Sequence, residues 1–311
     1  MTDDASQFEP SASIEFLRAR SHLLQHLRRW FVDQGFWECQ TPVLSRERIL
    51  DANIDLYTTS DASGRWFLQS SPEACMKRLL AAGADSIFQI GPAMRQSEQG
   101  QLHNAEFTIV EWYRVGDSYH DQMSFTEQLV RTVYAEGVKL HPNQKRMPTN
   151  AFERLTYDAA FEKHMGSRVL ELDVSELLQL ADQHGVSVPS TLRLDRDSLL
   201  NLLLAESVEP QLGQNYPEFL FDYPDTQAAL ARIETRDNEP NVALRFELYD
   251  RGIELCNGYQ ELIDADEFVE RSRHESSRRQ ADASSSSADE IEDIDAPARL
   301  VAAMKSGLPE C

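Results

Sequence analysis

The sequence predicts an α+β domain, an antiparallel sheet flanked by helices. Three features predict it. A long amphipathic helix runs over 14–34, two strand-like runs at 87–90 and 106–115 are joined by a polar stretch, and a strand at 242–248 turns on Asp250-Arg251-Gly252 into a partner at 253–262. Sequential antiparallel strands packed with helices belong to this class rather than to a βαβ array. With 311 residues, 41% hydrophobic and 9% aromatic, the chain has material for one large domain or two small ones.

Residues 1–12 read as a polar arm. From Ile14 to Gln34, Leu17, Leu24 and Phe31 recur every seven residues with Leu27 between them, one apolar stripe of a helix. Ser13 caps its start and Gly35 ends it in the left-handed conformation. Phe36–Cys39 is a short extended piece stopped by Thr41-Pro42, and Arg65–Gln69 reads as a strand. Ser71-Pro72-Glu73 has the order of cap, first-turn proline and first-turn acid, which opens a helix ending at Gly83. After the strands Ile87–Ile90 and Glu106–Val115 comes a helix capped by Asp121 or Ser124 and ending near Gly137.

Residues 150–210 form a helical insertion, in which Asp173 and Glu176 have capping-box spacing. Val242, Leu244, Phe246 and Leu248 alternate with Ala243, Arg245, Glu247 and Tyr249, the pattern of a half-buried strand. Residues 282–295, six acids and no base, read as a flexible solvated loop. Ala296-Pro297 starts a last helix reaching Gly307.

Acidic residues outnumber basic ones 52 to 30, a net charge of −22, which argues against general binding to a phosphate backbone. The four cysteines form no C-x-x-C pair, so neither a zinc ribbon nor a disulfide framework is indicated. The opening MTDDASQFEP lacks an apolar segment of the secretory kind, and no apolar run is long enough to span a bilayer. A cytoplasmic protein with no membrane partner is expected.

No Walker A sequence, G-x-G-x-x-G, H-E-x-x-H or G-x-S-x-G is present. Four segments instead place polar residues on apolar elements, a costly arrangement unless a ligand satisfies them. Arg95 stands at a strand end before a polar loop, where it either grips a phosphate or carboxylate or is an ordinary exposed hairpin residue. Glu111 and Tyr113 share one face of their strand, a carboxylate and a phenol suited to an ammonium group or to solvent. Glu254 and Glu261 flank Asn257-Gly258 and differ in parity, so only a bulge aims both to one side. Ser71-Pro72-Glu73 is adequately explained as a helix start.

Taken in order, these segments resemble the class II aminoacyl-tRNA synthetase catalytic domain of the lysine type, and within it the free-standing elongation factor P β-lysine ligase branch. Gly35-Phe36-x-Glu38-x-x-Thr41-Pro42 resembles motif 1, the dimer element. Phe88-Gln89 through Arg95, with His103-Asn104-x-Glu106-Phe107-Thr108 and Glu111-Trp112-Tyr113, resembles motif 2. Leu68-x-x-Ser71-Pro72-Glu73 with Met76-Lys77-Arg78 is similar to the substrate loop. Gly252-Ile253-Glu254-Leu255-x-Asn257-Gly258-Tyr259-x-Glu261-Leu262 is similar to the acidic substrate and ATP strand. The resemblance covers residues 11–311, so 13–311 is expected to be one catalytic domain.

The resemblance implies an ATP- and Mg2+-dependent ligase that adenylates β-lysine or lysine. The acceptor it implies is a lysine of elongation factor P, with tRNA not expected, and the implied assembly is a homodimer with Pro42 near the interface. Arg95 would act catalytically on the α-phosphate. Gln96, Ser97, Glu98, Asn104, Glu254 and Leu255 would line the ATP site, with Glu254 on the metal. Ser71, Pro72, Glu73, Tyr113 and Glu261 would form the substrate site, its acids taking the amines. The chain departs from the family in three places. Arg95 is followed by Gln96-Ser97-Glu98 rather than x-Glu, so either Glu98 takes the adenine-facing place or that recognition is weaker. Gly91-Pro92-Ala93 replaces Cys-Arg-Ser. The sequence ends at Gly307-Leu308-Pro309-Glu310-Cys311, where a glycine-rich motif 3 is expected to follow, and it begins with no room for an anticodon-binding domain. Two alternatives stay open at this level: an adenylating enzyme with another acceptor, or a non-catalytic paralogue that binds only substrate or factor.

Overall fold

The computed structural model describes residues 10–48, 54–96, 100, 102–141, 147–192, 194–283 and 296–311. In chain order the elements are α1 (Ile14–Asp33), β1 (Trp37–Glu38), β2 (Leu44–Ser45), β3 (Thr58–Asp61), β4 (Gly64–Leu68), α2 (Glu73–Ala81), β5 (Ser86–Met94), β6 (Glu106–Arg114) and α3 (Tyr119–Leu140). There follow β7 (Glu153–Thr156), α4 (Tyr157–Met165), α5 (Val174–Gln183), α6 (Arg196–Leu203), β8 (Glu218–Pro224), β9 (Ile233–Glu234), β10 (Val242–Asp250), β11 (Ile253–Tyr259), α7 (Ala265–Ala283) and α8 (Ala298–Gly307).

The strands form three sheets, β1-β5-β6, β11-β10-β8-β7 with β9 beside β10, and β2-β4-β3. The expected α+β class holds, with one correction. The sheets are not purely antiparallel, because β1 pairs β5 in parallel and β7 pairs β8 in parallel. Both parallel partners are reached through intervening helices, as parallel pairing requires.

The first helix forms as its stripe dictates. The Ser13 hydroxyl accepts from Phe16 N, Gly35 sits at φ 87°, and Phe31 at the helix end is fully buried. Its ring stacks on Phe88 of β5 at 4.6 Å between centroids, among Phe36, Phe125 and Leu129. The β5–β6 hairpin is in full register, with Gln89 opposite Glu111 and Ile87 opposite Tyr113. Even-numbered β6 residues Val110 and Trp112 pack towards α1, so the odd-numbered Glu111 and Tyr113 face the opposite way.

Several expectations need correction. The helix after β6 is capped by Ser118, not Asp121 or Ser124. Asp121 is the third residue of a capping box, and the Ser124 hydroxyl bonds back to His120 O. That helix also runs past Gly137 to Leu140, because packing on one face outweighs the modest cost of an interior glycine. In α2 the first helical residue is Glu73. Pro72 holds the cap position, and the Ser71 hydroxyl still accepts from Glu73 N at 3.0 Å.

β10 is buried on both faces rather than half-buried. One face, Val242, Leu244, Phe246 and Leu248, packs with Phe219, Tyr119 and Met123, while Ala243 and Tyr249 on the other lie under the helices of the insertion. Arg245 and Tyr249 on that second face bond Glu247 rather than solvent, so the alternation marks two different cores rather than core and solvent. The Asp173–Glu176 capping box forms as expected. Of the acidic segment 282–295, Asp282 and Ala283 close α7; the remainder, 284–295, lies outside the described residues.

Candidate active site

Three elements converge behind the β5–β6 hairpin: the start of α2, the odd face of β6, and the end of β11. They bring together Ser71, Glu73, Lys77, Glu111, Tyr113, Tyr259 and Glu261. The Ser71 hydroxyl donates to Glu111 Oε2 at 2.8 Å and the Tyr113 hydroxyl donates to Glu111 Oε1 at 2.9 Å. The Tyr259 hydroxyl donates to Glu73 Oε1 at 2.7 Å. Lys77 is 2% exposed, and its Nζ lies 2.6 Å from Glu73 Oε1 and 2.5 Å from Glu261 Oε2. Pro72 is buried beneath this group and contributes the backbone that sets Glu73 one turn before Lys77.

The electrostatics follow from the count of three carboxylates, Glu73, Glu111 and Glu261, around one ammonium, Lys77. Burial pushes Glu111 up to about 7, with the nearby Glu73 adding to it. Burial likewise pushes Glu261 up to about 8, although Lys77 pulls the other way. Burial alone would lower the Lys77 ammonium pKa, but Glu261 and Glu73 outweigh it and hold the group protonated. The Tyr113 and Tyr259 phenols are raised by burial and by these same acids, so both remain donors. The pocket is thus short of positive charge, a condition that an ammonium ligand relieves.

β11 carries the bulge that aiming both acids to one side needs, and it lies before Asn257-Gly258. Leu248 pairs Cys256 and Tyr249 pairs Glu254, which leaves Leu255 as the extra residue. That insertion puts Glu254 in step with Asn257 and Tyr259, opposite Tyr249, Glu247 and Arg245 respectively. Asn257-Gly258 instead stays in regular register, and Gly258 is required there because a Cβ would stand 2.6 Å from the Phe246 ring. The turn into β11 has both central residues at positive φ, Arg251 at 56° and Gly252 at 71°, the backbone of a tight two-residue hairpin.

Along this face lies a second acidic group. Glu247 is 6% exposed; Arg245 Nη2 donates to one oxygen and the Tyr249 hydroxyl donates to the other at 2.5 Å. Tyr249 also stands 3.1 Å from Glu209 of the insertion. Glu254 is an exposed residue, yet loss of solvation around its carboxyl, and then the neighbouring Glu247, raise it to about 7, with Arg245 pulling the other way. Leu255 is 45% exposed on the bulge. Glu254 and Glu247 fit a magnesium ion of the kind that phosphates help to hold, since such ions take only one or two carboxylates from the protein. Among the described residues, no larger His, Cys, Asp and Glu cluster offers an all-protein metal cage.

Arg95 leaves the end of β5, its N–H bonded to Ala105 O and its guanidinium 5.1 Å from the Phe107 ring centroid. Gln96 is exposed and bridges to Asp55, tying the hairpin tip to the segment before β3. Asn104 lies elsewhere. It lines an open cavity of about 540 Å3 on the α1 side of the hairpin, with Arg20, Pro92 and Thr108. Ser97 and Glu98 lie outside the described residues.

Sequence reasoning missed several residues here. Strand periodicity pairs Glu111 with Tyr113 as suited to an ammonium group or to solvent, but the resemblance leaves Glu111 out of the substrate residues, although it sits among them. Lys77 falls within the segment similar to the substrate loop but carries no role there, and a Glu-to-Lys pair four apart on a helix is far more common on surfaces. Glu247 and Arg245 were hidden by the assumption that their face of β10 meets solvent.

Against this geometry the comparisons with known proteins are direct. Residues 7–311 match the family described as tRNA synthetases class II (D, K and N). The chain is 37% identical over 314 residues to the elongation factor P–(R)-β-lysine ligase of Vibrio cholerae, covering 98% of this chain and 90% of the relative. It is 38% identical to the protein of that name from Vibrio vulnificus, covering 98% and 90%, and 36% identical to that of Pectobacterium atrosepticum, covering 99% and 90%. The chain belongs to the class II tRNA synthetase family.

Proposed function

We propose that this member of the class II synthetase family is an ATP-dependent ligase that adenylates (R)-β-lysine or lysine and transfers it to a lysine of translation elongation factor P. The observation that carries the reading is the buried group of three carboxylates and two phenols around one fixed ammonium. Such a group is short of positive charge and suits a small molecule bearing two amines. The relatives' shared name supplies the reaction class and the acceptor.

Glu73, Glu111 and Glu261 take the amines, with Tyr113 and Tyr259 fixing carboxylate orientation through their hydroxyls. Ser71 holds Glu111 in place, so the helix start and the strand form one rigid receptor. This anchoring presents the substrate carboxylate to the α-phosphorus of ATP; a carboxylate oxygen attacks, and pyrophosphate leaves. Arg95 stabilises the charge that develops on the phosphoryl oxygens, a term that typically dominates such transfers. In the second half-reaction a neutral acceptor amine attacks the acyl carbon, AMP leaves, and the amine's proton passes to solvent or base. Positioning rather than covalent chemistry by the protein carries both halves.

Glu254 and Glu247 would hold Mg2+ together with the phosphates, and the ion would supply charge neutralisation on the ATP tail. Glu254 binds it only as the carboxylate, so acidification through about pH 7 weakens the site. Gln96 and Leu255 complete the nucleotide site beside Arg95. The enzyme works in the cytoplasm as a homodimer with Pro42 near the interface. No described helix is long and apolar enough to cross a membrane.

The test is ATP–pyrophosphate exchange with α-lysine and β-lysine supplied separately, followed by transfer of label to elongation factor P and to tRNA. Exchange with one isomer and label on the factor supports the reading. Label on tRNA alone identifies another acceptor, and a folded sample without exchange refutes adenylation. Sedimentation as a monomer at micromolar concentration refutes the dimer.

A further inference from the structure

The amine pocket contains a cation of its own. Lys77 is one helical turn beyond Glu73, 2% exposed, with its ammonium between Glu73 and Glu261. A lysine in that position is expensive: burial opposes its charge, and its stem gives up rotamer freedom. A purely structural role would be served by an apolar residue with protonated acids around it, an exchange that is often neutral or stabilising for buried ion pairs. The placement is also selective. Lys77 engages Glu73 and Glu261, while Glu111 across the pocket is held by the neutral hydroxyls of Ser71 and Tyr113.

We propose that Lys77 is a specificity-determining residue of the amine pocket, a built-in counter-charge that orients Glu73 and Glu261 and favours the carboxylate form of Glu261 against its burial, so that substrate ammonium groups meet ready acceptors. This rests on the reading of the pocket as an amine receptor and deepens it. With Lys77 in place, three carboxylates and one ammonium leave a net charge of −2 when all are ionised, matching a ligand with two ammonium groups. Without it, three buried carboxylates face one another. Like-charged buried acids take up protons rather than remain ionised together. A diamine would then bind only after protons are expelled.

The groups facing Lys77 are known from every side. They are Glu73 on its own helix, Glu111 and Tyr113 on β6, Tyr259 and Glu261 at the end of β11, and the buried Cys311 thiol. Cys39, after β1, faces Glu111. Of these, Glu111 and Glu261 already sit at about 7 and about 8, so both exchange protons near neutrality. Loss of Lys77 moves Glu261 further up, because Lys77 is the group that lowers it.

The experiment is isothermal titration of the full chain with α-lysine and β-lysine, at pH 7 and pH 9, in buffers of different ionisation enthalpy to count protons released. Wild type, K77M and K77Q are compared, with folding checked by thermal melting. The expected result is that K77M binds the preferred isomer about tenfold or more weakly at pH 7, releases more protons on binding, and recovers much of its affinity at pH 9. K77Q, which keeps a polar head for Glu73, behaves the same way and carries the test if K77M does not fold. Wild-type affinity, proton release and pH dependence in either folded variant overturn the proposal. A uniform loss at both pH values also overturns it, since that marks a packing role. If wild type itself binds neither isomer, the amine receptor reading falls and this inference with it.

Discussion

Replacing Glu111 by Gln separates what the pocket does for stability from what it does for binding. Glu111 is enclosed, receives hydroxyl donors from Ser71 and Tyr113, and has its carboxyl raised from 4.5 to about 7 by burial and Glu73. A carboxyl raised in the folded state binds more protons there than in the unfolded chain between those two values. Stability therefore falls as pH rises from about 4.5 to about 7, and the loss persists above. The shift of about 2.5 units corresponds to roughly 3 kcal/mol at pH 8. E111Q removes that loss but forces one hydroxyl to turn round against the amide nitrogen, a cost of about 1 kcal/mol. The ligand-free variant should then be about 2 kcal/mol more stable than wild type at pH 8 and about equally stable at pH 5, where the wild type has lost only about 1 kcal/mol. The same substitution deletes a charge-assisted contact to a substrate amine, worth about 1.5–3 kcal/mol, so KM for the amino acid in pyrophosphate exchange should rise about 10- to 150-fold. Urea unfolding at the two pH values and exchange kinetics measure both arms. Equal stability at pH 8, or an unchanged KM, would refute the assignment of Glu111 as a desolvated ammonium acceptor.

Three other outcomes are expected. R95A should lower the rate of pyrophosphate exchange by about 10²–10³-fold with little change in lysine binding by calorimetry, as loss of a transition-state contact does. E254Q should raise the magnesium concentration for half-maximal exchange about tenfold or more, and in wild type that requirement should climb as pH falls below about 7, where Glu254 takes up its proton. A magnesium profile flat between pH 6 and 8 would count against Glu254. G258A should destabilise the fold by about 1–3 kcal/mol in urea unfolding, since its methyl would meet the Phe246 ring at 2.6 Å.

Much of the fold was legible because local signals and tertiary demands agree. Ser13, Gly35, the Asp173–Glu176 box and the Asp250–Gly252 turn each name a backbone conformation that the structure adopts. The errors arose where a distant segment decides. Ala243, Glu247 and Tyr249 look like a solvent face until the insertion covers them, and nothing in residues 242–250 announces that cover. Ser118 was passed over for Asp121, yet the two are partners in one box. The α7 helix escaped notice because its composition is strongly polar and its apolar positions are few. In the site, strand parity put Glu111 beside Tyr113 correctly. It took the meeting of α2 with β6 and β11 to gather Glu73, Lys77 and Glu261 around that pair, and no local pattern in a single segment encodes such a meeting.

The extra residue in β11 has a consequence for spacing. Glu254 and Glu261 are seven apart, an odd interval that a regular strand would split between its two faces. With Leu255 out of step, the strand reads as a ruler on which both marks fall on one edge, about 20 Å apart at the usual rise per residue. In the proposed function, one continuous segment thereby reaches both ends of an extended two-part ligand. Taking Leu255 into regular register without shortening the chain would turn Glu254 to the far side, whereas deleting it would leave an even interval and keep both acids on one face. Length of chain, more than identity of side chain, is the quantity conserved by such a device.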